Sequence, residues 1–190
     1  MSKHHGSTRL KQTLGVLVAA ATVTVMMPAA NASADVTDPH TGDTIRNVNS
    51  KLCLEIADWS TSNGAAARQW QCTGGDNQKW IFKDGQFVNL HSGLCLEIAD
   101  WSTSDGAAAR QWQCTGGDNQ KWEPGNANFP EQSSVLEDTV WFAYNVHSAK
   151  CLEIPAWSTD WGTQADQWDQ NGGINQLWAV GSAPIWQSAT

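Results

Sequence analysis

The sequence predicts an all-β fold of three similar units arranged about a pseudo-threefold axis. Residues 53–80 and 95–122 agree at 27 of 28 positions, and residues 151–178 match the first copy at 16 of 28. Self-similarity at a nearly fixed step indicates a repeat architecture, and no copy shows helical periodicity. Three units are too few for a propeller or an uncapped solenoid. Closing them on one another removes the sheet edges, which predicts a β-trefoil of three repeats of about 42 residues.

Short strands follow from the pattern within one unit. In LCLEIA (52–57) the Leu and Ile side chains fall on one face, and the Cys, Glu and Ala side chains fall on the other. The runs IRNV (45–48), AARQWQC (66–72) and KWIFK (79–83) also have strand character. The Asp84-Gly85 pair then suits a hairpin turn into the next unit.

The third copy lies further along the chain than the period of the first two predicts. The step from Cys53 to Cys95 is 42 residues and the step to Cys151 is 56. The additional residues fall in 123–140, and we predict a loop there because its prolines and glycine interrupt a strand. The expected organisation is a leader (1–34), a linker (35–44) and one domain (45–190) with units at about 45–86, 87–128 and 141–181.

The first 34 residues have the form of a secretory signal. Lys3, Arg9 and Lys11 precede an apolar run over 14–27, and the small-residue site Ala-Ser-Ala ends at position 34. Fourteen apolar residues are fewer than the roughly 20 that span a bilayer. We therefore expect a secreted, extracellular protein without a membrane span.

The charge of the chain argues against nucleic acid as a partner. The chain carries 11 basic and 19 acidic residues, and the leader contains three of the basic ones and no acid. Residues 35–190 therefore have a formal net charge of −11. A phosphate backbone would be repelled by such a surface.

Five cysteines in an exported chain predict disulfides and one remaining thiol. Cys53 and Cys72 lie 19 residues apart, as do Cys95 and Cys114, and the position 19 after Cys151 is a glutamine. The simplest pairing is Cys53 with Cys72 and Cys95 with Cys114. Each bridge would stabilise the fold by roughly 3 kcal/mol. Cys151 is then free, which leaves open a disulfide-linked dimer.

A carboxylate and an indole are predicted to meet beside the first bridge. If Cys53 lies opposite Cys72 on antiparallel strands, Glu55 faces Trp70 and Ala57 faces Arg68. A carboxylate can accept hydrogen bonds from two neighbouring hydroxyls, and an indole offers its face to the apolar side of a pyranose. This combination suits a sugar site.

The same motifs carry a family resemblance. A CLEI stretch, a QW pair, a cysteine 19 residues after the first and an NQxW motif, repeated through residues 45–181, resemble the ricin-type β-trefoil lectins. The resemblance implies a carbohydrate site in each unit. Its residues would be Glu55, Arg68, Trp70, Asn77, Gln78, Glu97, Arg110, Trp112, Asn119, Gln120, Glu153, Asp166, Trp168, Asn175 and Gln176. We expect no cofactor, and no arrangement of Cys, His and Asp has the spacing of a metal site.

Two departures from the family pattern bear on specificity. The usual aspartate is a glutamate in every unit, and the usual glutamine is Arg68, Arg110 or Asp166. Arg68 either pairs with Glu55 or binds an acidic sugar, whereas Glu153 and Asp166 would repel each other. Galactose specificity therefore does not follow from the resemblance.

The other aromatic and histidine residues have more than one interpretation. We expect Trp80, Trp122 and Trp178 in the core, with the glutamine two positions earlier holding loop backbone. If Trp70 faces outward, Gln69 faces the core, and the sequence offers it no partner. His91 and His147 are expected at the surface. Either a second stacking platform or packing beneath their own loops accounts for Trp59, Trp101 and Trp157.

Duplication of the candidate residues favours binding over catalysis. A glycosidase needs two carboxylates in one cleft, whereas several weak sites increase the avidity for a repetitive polymer. The sequence thus predicts a non-catalytic carbohydrate-binding protein with two near-identical sites and a third in the divergent copy. The alternative is a secreted β-trefoil protease inhibitor that acts through one exposed loop, for which residues 123–140 qualify.

Overall fold

A computed structural model describes residues 42–126 and 140–181 of the chain. The predicted leader, most of the linker and residues 127–139 of the insertion lie outside the described residues. Within them are six 3-10 turns and no α-helix. The twelve strands are β1 (Asp43–Asn47), β2 (Cys53–Ile56), β3 (Ala67–Trp70), β4 (Lys79–Lys83), β5 (Gln86–Asn89), β6 (Cys95–Ile98), β7 (Ala107–Trp112), β8 (Trp122–Asn126), β9 (Val140–Asn145), β10 (Cys151–Glu153), β11 (Asp166–Trp168) and β12 (Leu177–Val180).

Each unit contributes four consecutive strands, and the second and third of them form a hairpin. The outer strands pair between units, β4 with β5 and β8 with β9, and β12 returns to pair with β1. The hairpin strands also meet one another, since β11 pairs with β7 and isolated bridges join Ala66 to Arg110 and Arg68 to Gln164. This closed arrangement of three units is the predicted β-trefoil.

Three tryptophans anchor the shared core, as predicted. Trp80, Trp122 and Trp178 are at most 2% exposed. Each indole Nε1 donates to the carbonyl oxygen of the leucine after the first cysteine of its own unit, at 2.9 to 3.1 Å. The indole therefore fills the core and also satisfies a strand carbonyl that would otherwise be buried without a partner.

A second set of buried side chains, the glutamines of the QW pairs, links the units. Gln69 is 0% exposed, and its Nε2 donates to the backbone oxygens of Ser158 and Asp160 in the third unit. Gln111 binds the first unit in the same way, and Gln167 binds the second. These contacts supply the partner that the sequence did not reveal.

The first strand of the insertion corrects the prediction of a loop over 123–140. Residues 122–126 form β8 and pair with β9, with Pro124 opposite Ala143 and Gly125 opposite Phe142. Among the described residues β8 pairs with no strand other than β9. Pro124 has no N–H to donate, and no second strand of the described residues requires that hydrogen bond. Gly125 is needed because a Cβ there would lie 2.2 Å from the ring of Tyr144.

Both predicted disulfides are present. Cys53 bonds to Cys72 and Cys95 bonds to Cys114, each with a Cα–Cα distance of 5.1 Å. Cys151 is free and 0% exposed. Burial raises the pKa of its thiol to about 12. Because an intermolecular bridge needs an accessible sulfur, this burial counts against the disulfide-linked dimer, which stays a prediction.

We expect the Cys151 thiol to be unreactive in the folded protein. The thiolate is the reactive form, and both burial and the raised pKa suppress it. An aromatic disulfide reagent at mildly alkaline pH should modify no thiol in the native chain and one in denaturant. Modification of the native protein at the rate of a free cysteine would contradict the buried position.

Candidate functional site

A buried carboxylate lies at the base of each candidate site. Glu55 is 3% exposed, and its Oε2 accepts from Asn77 Nδ2 at 3.2 Å and from Gln78 Nε2 at 3.0 Å. Gln78 also donates to Gln71 O and accepts from the N–H of Thr73, so it holds the loop as predicted. Equivalent contacts to the carboxylate occur in the other two units, made by Asn119, Gln120, Asn175 and Gln176 to Glu97 and Glu153.

The amides of the predicted sugar contacts are almost fully buried. Asn77, Gln78 and their equivalents are at most 2% exposed. In this structure they hold the carboxylate and the loop, and their predicted contact with a sugar stays a prediction.

The strand register also differs from the one predicted. Cys53 lies opposite Trp70, and Glu55 lies opposite Arg68 instead of opposite Trp70. Cys72 lies two residues beyond Trp70, outside β3, and reaches back to Cys53. The prediction assumed that bonded cysteines are direct cross-strand partners, and here they are diagonal neighbours.

This register pairs Glu55 with Arg68, the first of the two predicted alternatives. Arg68 Nε donates to Glu55 Oε1 at 3.0 Å, and its NH2 group donates to Asp58 at 3.0 Å. Arg110 makes the same two ion pairs with Glu97 and Asp100. Both carboxylate oxygens of Glu55 therefore accept hydrogen bonds from side chains of the chain itself. At these two sites the arginine is partly exposed, and the aspartate paired with it is largely exposed.

The tryptophan of the QW pair lies beside this ion pair. The Arg68 guanidinium carbon is 4.5 Å from the Trp70 ring centroid, and Arg110 is 4.6 Å from that of Trp112. These are cation–π distances. Both indoles are half-buried, so each offers a partial face to solvent.

Each site also includes a loop from a neighbouring unit. The ring of Trp161, in the third unit, lies 5.6 Å from that of Trp70. At the equivalent position, Asn63 accepts from the N–H of Gln113 beside Trp112, and Asp105 accepts from the N–H of Asp169 beside Trp168. Asn63 and Asp105 mark the one difference between the first two 28-residue copies. The two sites predicted to be near-identical therefore have different neighbours.

The third site lacks the arginine. Asp166 lies opposite Glu153 on β11, and its Oδ1 is buried without a hydrogen-bond partner. Burial and the charges of Glu153 and Asp105 raise the pKa of Asp166 to about 7, and burial also raises the pKa of Glu153. Trp168 is 42% exposed. After burial, the charge of Glu153 is the next contribution to the raised pKa of Asp166, in the direction of the predicted repulsion.

Protein stability is expected to fall as pH rises between about 4 and 7. The folded chain holds a proton on Asp166 that the unfolded chain releases near its ordinary value of 3.8. At about 1.4 kcal/mol per pKa unit the effect could reach roughly 4 kcal/mol, and partial exposure should reduce it to roughly 2 kcal/mol. Chemical denaturation across this range should show the decline, and Asp166→Asn should flatten it. If the Asp166→Asn variant shows the same decline, the pH dependence of stability comes from another titratable group.

A second aromatic surface consists of Trp59, Trp101 and Trp157. They are 53%, 52% and 51% exposed, at equivalent places in the three units. The indole of Trp59 also packs on its own loop, since a Cβ on Gly75 would lie 2.7 Å from it. His91, exposed as predicted, contacts its ring and its carbonyl oxygen. Packing on its own loop is therefore observed for Trp59, and the second stacking platform stays a prediction.

Backbone geometry marks this surface as well. Asp58 and Trp59 have φ of 55° and 54°, in the left-handed region that bulky residues rarely adopt. The corresponding residues of the other units share this conformation. Such strain is concentrated at functional sites.

Residues 42–126 and 140–181 lack the features of two other classes of site. They contain no group of three or more His, Cys, Asp or Glu side chains arranged to hold a metal ion. They also contain no helix with the length and apolarity needed to cross a bilayer.

Fold and sites together define a β-trefoil with one indole-bearing site in each unit. The model of the ricin-type beta-trefoil lectin domain matches residues 31–122. A designed threefold symmetric protein, ThreeFoil, is 33% identical over 73% of this chain and 96% of its own, with a TM-score of 0.66. An exo-β-1,3-galactanase from Clostridium thermocellum is 30% identical, with a TM-score of 0.66, over 74% of this chain and 30% of that enzyme.

More distant structures share the fold. A ricin B-like lectin of Macrolepiota procera, solved with lactose, has a TM-score of 0.59 at 16% identity, over 74% of this chain and 95% of its own. The C-half of an earthworm R-type lectin, solved with GalNAc, has a TM-score of 0.57 at 15% identity, over 73% and 96%. The chain belongs to the ricin-type β-trefoil lectin family.

Proposed function

We propose that this protein is a secreted, non-catalytic lectin that binds glycans at three sites. The observation that carries the proposal is the partly exposed indole of each unit, Trp70, Trp112 or Trp168, beside a charged side chain above a fixed carboxylate. An indole can stack on a pyranose while the charged group binds its hydroxyls. The sugars bound by the two distant lectins, lactose and GalNAc, support glycans as the ligand class.

The proposed sites divide into contact and positioning residues. The proposed contacts are Arg68, Trp70, Arg110, Trp112, Asp166 and Trp168. The carboxylates and amides beneath them hold these groups in place. The strained tryptophans Trp59, Trp101 and Trp157 form a second stacking surface for a longer glycan.

Secretion and the absence of catalysis are parts of the same proposal. The leader over 1–34 and two disulfides favour an oxidising compartment. Two of the three sites contain no free carboxylate, and a glycosidase needs two in one cleft. Three sites on one chain favour a polymeric ligand, because linked sites raise avidity by about 100- to 10,000-fold when they engage together.

A panel of immobilised glycans tests the proposal with residues 35–190 as the analyte. The expected result is binding to a defined subset of glycans that the matching free oligosaccharide reverses. Absence of binding across neutral, acidic and amino-sugar glycans would overturn it. Inhibition of a protease by the same preparation would instead favour the alternative function.

A further inference from the structure

The three sites differ in the source of their positive charge. In the first two units a guanidinium of the chain itself lies between the carboxylate and the indole. The third unit keeps the carboxylate of Glu153, the indole of Trp168 and the two amides, but has Asp166 where the arginine belongs. The carboxylate, amides and indole that hold a guanidinium in the first two units are therefore present in the third unit without a cation.

Two carboxylate oxygens of the third site accept no hydrogen bond from the described residues. Glu153 is 4% exposed, and its Oε2 accepts from Asn175 and Gln176. Within the described residues its Oε1 accepts nothing, although the equivalent oxygens of Glu55 and Glu97 bind arginine. Asp166 adds Oδ1, which is buried without a partner. A buried carboxylate without a partner is costly, so a donor supplied by a ligand would be favoured.

The indole of the third site is more exposed than its equivalents in the first two units. An aspartate side chain is shorter than an arginine by several atoms, and no other cation stacks on the ring within the described residues. Trp168 is accordingly 42% exposed, while Trp70 and Trp112 remain half-buried. A ligand therefore has access to the face that the guanidinium covers in the other units.

Lys150, the basic residue nearest in sequence to Glu153, is already in ion pairs. Lys150 binds Asp105 at 2.7 Å and also binds Asp169. These interactions lower the pKa of Asp105 and raise that of Lys150, so both stay charged near neutral pH. Glu153, Asp105 and Asp169 outnumber this one lysine even when Asp166 is protonated, which leaves the surroundings of Trp168 negative.

We propose that the third site binds glycans through a protonated primary amine, as in a deacetylated amino sugar. The ammonium would occupy the place of the missing guanidinium, with Glu153 and Asp166 as acceptors and the Trp168 indole beside it. The pyranose that carries the amine would cover the rest of the indole. The inference rests on the proposed function and adds the ligand class of one of its sites.

The test compares two probes that differ in the charge on nitrogen. These are a β-1,4-linked glucosamine oligomer and its N-acetylated counterpart of equal length. Calorimetry with residues 35–190 near neutral pH and at low salt should show the amine form binding about 10- to 100-fold more tightly, the range for a charge-assisted hydrogen bond. Added salt should reduce this preference. Equal affinities would overturn the inference.

The chain itself provides the matched variants. Asp166→Arg restores the residue found in the other two units and should remove the preference, while the reverse change Arg110→Asp should create a second amine site. Asp43→Arg makes the same charge change at an exposed acid of β1 and should preserve the preference. A preference that survives in Asp166→Arg, with folding verified by denaturation, would overturn the assignment to this site.

Two further outcomes separate this inference from the proposed function. If neutral glycans bind but the amine form binds no more tightly, the proposed lectin function is supported and the proposed amine site is wrong. If no glycan of any class binds, the proposed function itself fails. A lysine-rich peptide that binds as tightly as the glucosamine oligomer, and is equally sensitive to Asp166→Arg, would show recognition of ammonium alone and overturn the assignment to an amino sugar.

Discussion

Alanine at Trp70, Trp112 and Trp168 together is expected to abolish binding to a polymeric glycan. A buried aromatic anchor contributes about 2 kcal/mol or more at a typical binding site, which corresponds to roughly 30-fold per site. Loss at all three sites also removes the gain from multivalency. Surface plasmon resonance on an immobilised glycan taken from the panel should show no saturable signal.

The matched control for this variant is Phe82→Ala. Phe82 is 49% exposed on β4 and belongs to none of the sites. It should bind like the parent, and denaturation should show that the triple variant remains folded. A folded triple variant with parental affinity would show that stacking on these indoles does not hold the glycan.

Replacing Glu55 by alanine is expected to destabilise the fold by about 3 kcal/mol. The change leaves the half-buried guanidinium of Arg68 without its main partner, and it removes an acceptor from Asn77 and Gln78. Breaking a buried ion pair on one side costs about 3 to 5 kcal/mol, and the partial exposure of Arg68 places this pair at the lower end.

Glu153→Ala is the internal comparison, because the third unit has the same two amides and no arginine. Removing its carboxylate also relieves the repulsion on Asp166, so we expect a loss of about 1 kcal/mol or less. Urea unfolding of the two variants near neutral pH measures the difference. Equal losses would show that the amides, and not the ion pair, account for the effect of Glu55.

The sequence predicted the fold and the disulfides because both depend on features that repeat at fixed spacing. The 28-residue copies, the turn at Asp84-Gly85 and the two cysteine pairs each have one simple interpretation. The core position of Trp80 followed in the same way. Pro124 misled the prediction at β8, since an edge strand tolerates a residue without an N–H.

The contents of the sites were harder to predict because they depend on register and on contacts between units. A shift of two residues decides whether Glu55 lies opposite Trp70 or Arg68, and the spacing of the cysteines does not fix it. Trp161 belongs to the third unit but lies beside Trp70 of the first. Gln69 belongs to the first unit but holds a loop of the third. The available signal was the recurrence of the QW glutamine in every copy, which a purely surface role does not explain.

At the proposed sites, the differences between the units would matter for recognition of a heterogeneous glycan. Trp70 and Trp112 each have an arginine beside them, but only Trp70 also has an indole from the third unit, and the third site is acidic. A chain with three chemically different sites would distinguish polymers by the order of their sugars. Such selectivity combines affinity with rejection of ligands that fit only one site.

The most direct test of the central claim is an NMR titration of the indole N–H signals in residues 35–190 with a glycan that binds in the panel. The lectin account predicts shifts at Trp70, Trp112 or Trp168 that saturate with the binding curve, while the core indoles of Trp80, Trp122 and Trp178, bonded to leucine carbonyls, stay unchanged. Saturable binding that leaves all three site indoles unperturbed would contradict it.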